Sequence, residues 1–546
     1  MAVVEIDIKD LENLTGKKLS KDLLEKEIPM LGCEFEHLDS EKVSYDVPPD
    51  RPDMLSTEGF ARALRYFLGE DKGLQKYKVK RNKIKMKKQK VKARPNITAA
   101  AVNNIEITEK SLQSIMQLQE KLHTTMGRNR KKLAIGIHDM DKVEPPFTYK
   151  AVKPNKFSFK PLGWDKELTL KEIKEKHEKG KYVEILEETG SKKWPVITDK
   201  NQETLSFPPV INGKKTELTS QTENVFIDVT GTDQETVEKA LNIVVTALTE
   251  RGGEINTVKI EGIGERPRLN PEEIKIDLEY VNKMLGTDFQ DKQFKEYIKG
   301  MGYGFKGKTG MGYSPEKTIL VPPYRNDIMH PIDVVEDIAI RHGYEEFKPE
   351  IPKIATIGKP DKKTEKEEKV KEILIGLGYQ EVLNMVLTNK ENQFKKMNRK
   401  EPKNDLVELE NPLDEKHTIC RKIALPQLLK NISNNQHVSY PQKIFEVAKC
   451  LGTKGKTKTK LSIAKADIEV NYNEATATLD SIMRNLNKEY ELKEIKDPSF
   501  MEGRRAKITN GEEEIGIIGE IHPKVLNNWG IEKPVIAMEL NLGKIL

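Results

Sequence analysis

Apolar positions follow two periods along this chain, and the two are interleaved. Leu112, Ile115, Met116 and Leu122, with Gln119 among them, fall on one helical face between Ser111 and Thr125. Val237, Leu241, Val244 and Leu248 form a second stripe in QETVEKALNIVVTALTER. That helix is predicted to open on a Thr232/Glu235 capping box and to stop at Gly252-Gly253. LAIGIHD (133–139) and NVFIDV (224–229) read as strands. Toward the C-terminus KVKEILIGLGY reads as a helix, and KIFEVAKCLGT, EEIGIIGEI and PVIAMELNL as short strands, with Phe445 and Val447 facing inward. Helices and strands mix without a strict β-α-β alternation, which predicts α+β domains and an antiparallel sheet in the last region.

Part of this pattern occurs twice. LEKEIPMLGCEFE leads to YDVPPDRPDMLSTEGFARALRYFLG, and FKEYIKGMGYGFK leads to ILVPPYRNDIMHPIDVVEDIAIRHGY. Each reads as helix, Gly turn, strand, V-P-P-x-R-x-D and a further helix. Pro48, Pro49, Arg51 and Asp53 match Pro322, Pro323, Arg325 and Asp327. Two copies this far apart imply two small related helix-turn-helix-like domains with an insertion between them, not a solenoid. The predicted organisation is 1–75, first repeat domain; 76–95, basic linker or strand; 96–265, inserted α+β domain; 266–349, second repeat domain; 350–362, linker; and 363–546, C-terminal α+β module.

Composition narrows the class. A chain of 546 residues fits three or four domains. Charged residues make up 33%, mean hydropathy is -0.64, and no run approaches the roughly 20 apolar residues of a membrane span. The acidic, amphipathic N-terminus is unlike a signal peptide, so a soluble cytoplasmic protein is expected. Cys33, Cys420 and Cys450 lie far apart and make no zinc spacing. Net charge is only +6, but Lys76–Arg94 is a basic run without an acid. It reads either as a solvated linker or as a strand whose cationic face meets RNA phosphates.

Four acids, Asp327, Asp333, Glu336 and Asp337, sit within eleven positions. Pro331 suits the first turn of a helix that ends at Gly343. Two readings stay open: acids placed at the positive end of a helix, or oxygen ligands for Mg²⁺.

The same stretch carries a resemblance. VPPYRNDIMHPIDVVEDIAIRHGY resembles the signature of the phenylalanyl-tRNA synthetase beta subunit family. VPPDRPDMLSTEGFARALRYFLG resembles that family's N-terminal domain. GRNRKKLAIGIHDMDKVEPPFTYKAV and SFPPVINGKKTEL followed by NVFIDVTGTD resemble its archaeal/eukaryotic editing domain. ENPLDEKHTICRKIALPQLLKNISNN and SFMEGRRAKITNGEEEIGIIGEIHPKVLNNWGI resemble its C-terminal synthetase-like module. The bacterial type has an inserted oligonucleotide-binding barrel and a C-terminal anticodon-binding domain, and this sequence has neither pattern. The resemblance implies an α₂β₂ assembly with an alpha subunit that charges tRNA(Phe) with phenylalanine using ATP. It implies that Asp327, Asp333, Glu336 and Asp337 are Mg²⁺ ligands at a site also involving the alpha subunit. It makes the C-terminal module a degenerate class II fold, in which Arg421, Arg504 and Arg505 lack the surroundings of an ATP-binding arginine.

Proofreading is the chemistry expected of this chain. An apolar pocket rejects an added hydroxyl only about 10²-fold, so tyrosine is an expected error and a second, hydrolytic site its remedy. The candidates lie between Leu205 and Asp233. Asn212, Glu217 and Asp228 are hydroxyl or amine binders, Ser206 and Thr219 orient water, and Pro208 and Pro209 form a wall. His123, His138 and His177 are the histidines of this domain. Each has a plainer reading; Asn212-Gly213, for example, is a common hairpin-turn pair. The basic turn from Arg128 to Lys132 reads as an acceptor-stem contact or a solvated hairpin. Two rival functions remain: an RNA-binding scaffold with an inactive editing domain, and a stand-alone Mg²⁺ enzyme. The second lacks a phosphate loop, because Gly307–Gly312 lies between strand-like segments and does not open a helix.

Overall fold

The computed structural model describes residues 2–306, 316–403, 405–452 and 455–546. The Gly307–Gly312 turn expected from sequence lies outside the described residues. The chain divides into two units, Met1–Glu350 and Ile351–Leu546. Among the described residues no helix is long and apolar enough to cross a membrane.

In the first unit the sequence repeat is a fold repeat. Strands Ala2–Asp7, Glu34–Leu38 and Lys42–Val47 form a sheet with the third strand in the middle. Strands Glu272–Asp277, Gly304–Phe305 and Glu316–Val321 repeat that order. The first helices, Ile8–Thr15 and Leu278–Leu285, are capped alike, by Asp7 and Asp277 at the start and by left-handed Gly16 and Gly286 at the end. The helix-turn-helix expectation captured the helices and missed the three-stranded sheet. The clue was the strict alternation of buried and exposed positions over Ala2–Asp7.

The two repeats share a buried polar seam. Arg51 donates to both Asp53 oxygens at 2.9 and 3.0 Å. Arg325 grips Asp327 in the same way and also reaches Asp337 at 2.7 Å. Arg62, from helix Thr57–Leu68, lies 3.7 Å above the Tyr324 ring of the other repeat. Arg51, Asp53, Arg62, Tyr324 and Arg325 all line one small cavity of about 20 Å³. The V-P-P-x-R-x-D motif is therefore an ion-pair device that each repeat carries into their shared seam.

Between the repeats lies a sheet of eleven strands. Its main path runs Ile211–Asn212, Thr204–Phe207, Trp194–Thr198, Phe147–Val152, Lys85–Lys88, Glu254–Ile260, Asn96–Asn103, Val225–Gly231 and Leu133–Asp139. Helices Glu109–Thr124 and Gln234–Thr249 cover Ala100, Val102, Ile135, Ile137, Ile227 and Val229 on one face. The sheet curls over its other face, so that Phe226 meets Phe147 with ring centroids 4.2 Å apart. The second helix is capped by Asp233, which accepts from Thr236 N at 2.8 Å. This replaces the expected Thr232/Glu235 box; Asp233 is one residue nearer and its carboxylate is the better acceptor. The basic segment is built into the sheet, with Val79–Lys80 and Lys85–Lys88 running parallel to Glu254–Ile260.

The second unit is a seven-stranded sheet ordered Gln380–Glu381, Gln442–Leu451, Thr457–Ala466, Val535–Asn541, Glu513–Ile521, Phe500–Asn510 and Glu491–Lys493. Only the first pair is parallel. Phe445 is fully buried and Val447 packs on the same core, as the alternation predicts.

Removing Arg325 strands two nearly buried carboxylates. Arg325→Met is expected to destabilise the first unit by about 3–5 kcal/mol. Arg325→Lys should restore only part of this, because an ammonium cannot fork across two acids. Thermal unfolding of the two variants beside the parent chain checks both.

Candidate active site

Helix Glu109–Thr124 and the strands beside it leave a cavity of about 200 Å³, whose lining includes Leu112, Met116, Ile137, Pro208, Pro209 and Leu218. Three polar side chains reach its floor: Asp228, Ser206 and Thr216. Asp228 stands on strand Val225–Gly231, between Asn96–Asn103 and Leu133–Asp139, and is 1% exposed. A carboxylate this deep needs donors. His138 Nε2 lies 2.8 Å from Oδ1, and Ser206 Oγ donates to the same oxygen at 3.4 Å. His138 Nδ1 lies 2.9 Å from Thr216 Oγ1. A carboxylate only accepts, so Nε2 faces it as the donor, while Nδ1 meets the Thr216 hydroxyl, whose Oγ1 also lies 3.1 Å from Gly213 O.

Gly136 makes room for this line. It sits directly across from Asp228 in the antiparallel register. A Cβ there would lie 2.5 Å from Asp228 Oδ1 and 2.6 Å from His138 Nε2. The glycine inside LAIGIHD was the sequence signal for this close approach. Asn212 lies at the wall, its amide only 3.5 Å from Ile137 O, so it is loosely held. Asn212-Gly213 is no hairpin turn: Gly213 has an extended backbone, and its Cβ would meet Thr204 O at 2.2 Å.

Arg130 and Glu120 close the opposite side. Arg130 donates to Pro209 O and Val210 O at 3.0 and 3.2 Å, and to Glu120 at 2.6 Å. Arg130 therefore fixes the proline wall and is not part of an exposed basic turn; Arg128 and Lys131 remain exposed. Burial raises the Glu120 carboxyl, but His123 and Arg130 outweigh it and hold it down to about 2. His123 is buried, its Nε2 accepts from Ile135 N at 2.8 Å, and burial pushes it down to about 4. Beneath them Arg94, fully buried, donates to Thr230 O and Arg130 O at 2.8 and 3.0 Å.

Of the expected residues, the structure brings Ser206, Asn212, Glu217, Asp228, Pro208 and Pro209 to one cavity. Glu217 is exposed, at the rim. Thr219 is outside the lining: its hydroxyl accepts from Gln221 N in a turn. Thr216, Gly136 and the wall-fixing role of Arg130 were missed.

The four acids of the second repeat are not gathered into one ligand set. Arg325 holds Asp327 and Asp337, and Tyr303 donates to Asp337 as well. Asp333 accepts from Met329 N and His330 N at 2.8 and 2.7 Å, as a helix cap does. Glu336 is exposed; burial first, then Asp337, Asp50, Asp333 and Asp327, raises its carboxyl. A Mg²⁺ ion would have to displace a guanidinium from two of the four, so this arrangement does not fit a four-carboxylate site. Asp327 does the work that Asp53 does in the first repeat. Among the described residues, the acidic trio whose oxygens lie within 4.8 Å of one another is Glu34, Glu36 and Asp46.

In the second unit Arg421 lies buried, 2.7 Å from Glu446 and 2.6 Å from Gln427. Arg504 pairs with Glu520 at 2.7 Å, and Arg505 donates to the carbonyls of Ile495, Asp497 and Phe500. All three arginines are engaged within the fold.

A B3/4 domain model matches residues 82–257, the sheet that carries this cavity. A tRNA synthetase B5 domain model matches 274–344, the second repeat. A phenylalanyl tRNA synthetase beta chain CLM domain model matches 348–542. A chain built of these three parts is a subunit of an aminoacyl-tRNA synthetase. The sequence is 39% identical to the phenylalanine–tRNA ligase beta subunit of Methanococcus maripaludis, over 99% of this chain and 100% of that one. It is 40% identical to that of Thermococcus kodakarensis, over 100% and 99%. The solved N-terminal fragment of the Pyrococcus horikoshii phenylalanyl-tRNA synthetase beta subunit is 37% identical, covers 62% of this chain and 99% of the fragment, and superposes with a TM-score of 0.58. The chain belongs to the phenylalanine–tRNA ligase beta subunit family.

Gly136→Ala is expected to break the Asp228–His138 contact, which the ring signals of His138 in an NMR spectrum would report. His123 titrates lower folded than unfolded, so stability is full above pH 6.5 and falls as pH drops toward 4. His123→Gln should remove that part of the pH slope, measured by denaturant unfolding across this window.

Proposed function

We propose that this chain proofreads for a phenylalanine–tRNA ligase, hydrolysing tyrosyl-tRNA(Phe) in the cavity above Asp228. The observation that carries the reading is a buried carboxylate at the floor of a largely apolar slot. A tyrosine ring fills the slot and its phenol donates to Asp228. A phenylalanine ring leaves Asp228 facing hydrocarbon, with its hydrogen-bonding capacity unmet. A site built to bond a hydroxyl discriminates against the analogue lacking it by about 10⁴–10⁵, far beyond what an apolar activation pocket achieves in reverse. His138, Ser206 and Gly136 hold the carboxylate in place before the ring arrives.

The reaction is ester hydrolysis. Water adds to the ester carbonyl carbon and the bond to the ribose oxygen breaks. The products are tyrosine and a tRNA with a free terminal hydroxyl, to which the second proton goes. Asn212 and Thr216 are the polar groups best placed to orient the water, and Glu217 at the rim is the candidate for the amino group. Phenylalanine activation with ATP belongs to the alpha subunit of an α₂β₂ assembly. The engaged state of Arg421 supports a structural, degenerate class II role for the second unit. The Mg²⁺ expectation rests on the family resemblance alone.

The test is hydrolysis of tyrosyl-tRNA(Phe) by the complex with the alpha subunit. Asp228→Ala is expected to slow clearing by roughly 10²-fold or more, and Asn212→Ala with Glu217→Ala to slow it as well. Phenylalanine charging should be unchanged in both. A parent complex that charges phenylalanine and never clears the ester makes the chain a scaffold.

A further inference from the structure

The central sheet has two covered outer patches, with a narrow exposed seam of lysine side chains between them. Helices Glu109–Thr124 and Gln234–Thr249 cover the strands at one end. Leu170, Ile173, Val183 and Leu186 pack on Trp194, Val196 and Phe207 at the other. Lys85–Lys88 and Glu254–Ile260 lie between these patches in the strand order. Met86 and Val258 turn into the core, while Lys85, Lys87 and Lys259 are exposed.

The seam is cationic beyond what the fold needs. Lys83, Lys85, Lys87, Lys90, Lys92 and Lys259 are all exposed, and none has a carboxylate partner among the described residues. Lys259 has Lys85 directly across from it on one side, a like-charge pair that is unfavourable, and Glu265 on the other. The nearby acids are few: Glu254 pairs with Lys80, Glu265 pairs with Arg81, and Glu261 is exposed at the edge. No large apolar side chain is exposed between 76 and 95.

We infer that this strand is a docking surface for the sugar-phosphate backbone of RNA, the tRNA whose end enters the cavity. The inference rests on the proofreading reading above for the identity of the RNA. An extended strand places Lys85 and Lys87 about 7 Å apart on one face, a row of point charges. Lysines dominate the row, its one exposed arginine, Arg81, is held by Glu265, and no aromatic ring is exposed, which suits phosphates and not base edges, so the surface holds any sequence alike. An acidic protein surface is the competing occupant. The regular single-sign row and the absence of apolar anchors favour the polyanion.

The experiment measures tRNA(Phe) binding to the complex with the alpha subunit across a range of salt. The variant carries Lys83→Gln, Lys85→Gln, Lys87→Gln and Lys90→Gln together. The slope of log K against log salt is expected to shrink by about 0.7–0.9 for each phosphate no longer neutralised, about 3–3.5 in all for the four lysines. Affinity at low salt should fall at least tenfold. Phenylalanine-dependent pyrophosphate exchange, which needs no tRNA, should stay at the parent level and shows that the variant is folded and assembled. A control with Lys348, Lys353, Lys359 and Lys369 changed to Gln should leave the slope unchanged. Parent-like slope and affinity in the seam variant overturn the inference, as does an equal loss in the control. Loss of assembly with the alpha subunit also overturns it and makes the seam a protein interface. Failure of the parent complex to bind tRNA at all would instead bring down the proofreading reading.

Discussion

A carboxylate 1% exposed on a strand paired on both sides is the constraint around which the inserted domain is organised. Asp228 can stay there only with donors at hand, and its neighbours are chosen accordingly. His138 supplies one, Ser206 a longer second, and Gly136 gives up a side chain so that His138 can approach. Arg94 and Arg130, both buried, then tie the floor strand, the turn after helix Glu109–Thr124 and the proline wall into one frame. The cavity is thus preorganised by groups that make their bonds whether or not a ligand is present, which is what selective recognition of one added hydroxyl requires.

The repeats do mechanical work around that frame. Arg251, just beyond the helix that backs the sheet, reaches Asp10 and Glu58 of the first repeat at 2.7 Å. The first repeat meets the second through Arg62 on Tyr324 and through Arg341, which donates to Phe67 O at 2.8 Å, while the arginine of each repeat's own arginine–aspartate pair lines the small cavity they share. Breaking one of these pairs costs more than the pair gains in forming, because the stranded charge stays buried. Asp327 and Asp337, two of the four acids legible in the sequence as a candidate metal site, serve here in a structural joint through Arg325.

The sequence made some of this legible and hid the rest for identifiable reasons. Helical stripes and the two V-P-P-x-R-x-D copies were local patterns, and local patterns can be read along the chain. Asp228 was one of five candidates between Leu205 and Asp233, and only the fold set it apart from Thr219. His138 and Gly136 were visible in LAIGIHD, yet their meaning depended on an antiparallel register with a strand far along the chain. Thr216 carried no local signal, because only the fold brings it to His138. The basic run showed its alternation, but the sheet decided which lysines stay uncovered.

The most direct test of the account is a binding comparison on the parent complex. Two non-hydrolysable amides of 3′-amino-3′-deoxyadenosine, one tyrosyl and one phenylalanyl, differ only by the phenol oxygen. The account predicts that the tyrosyl compound binds at least about 10²-fold more tightly, and that Asp228→Ala removes the difference. Equal affinities for the two compounds in the parent complex would contradict it.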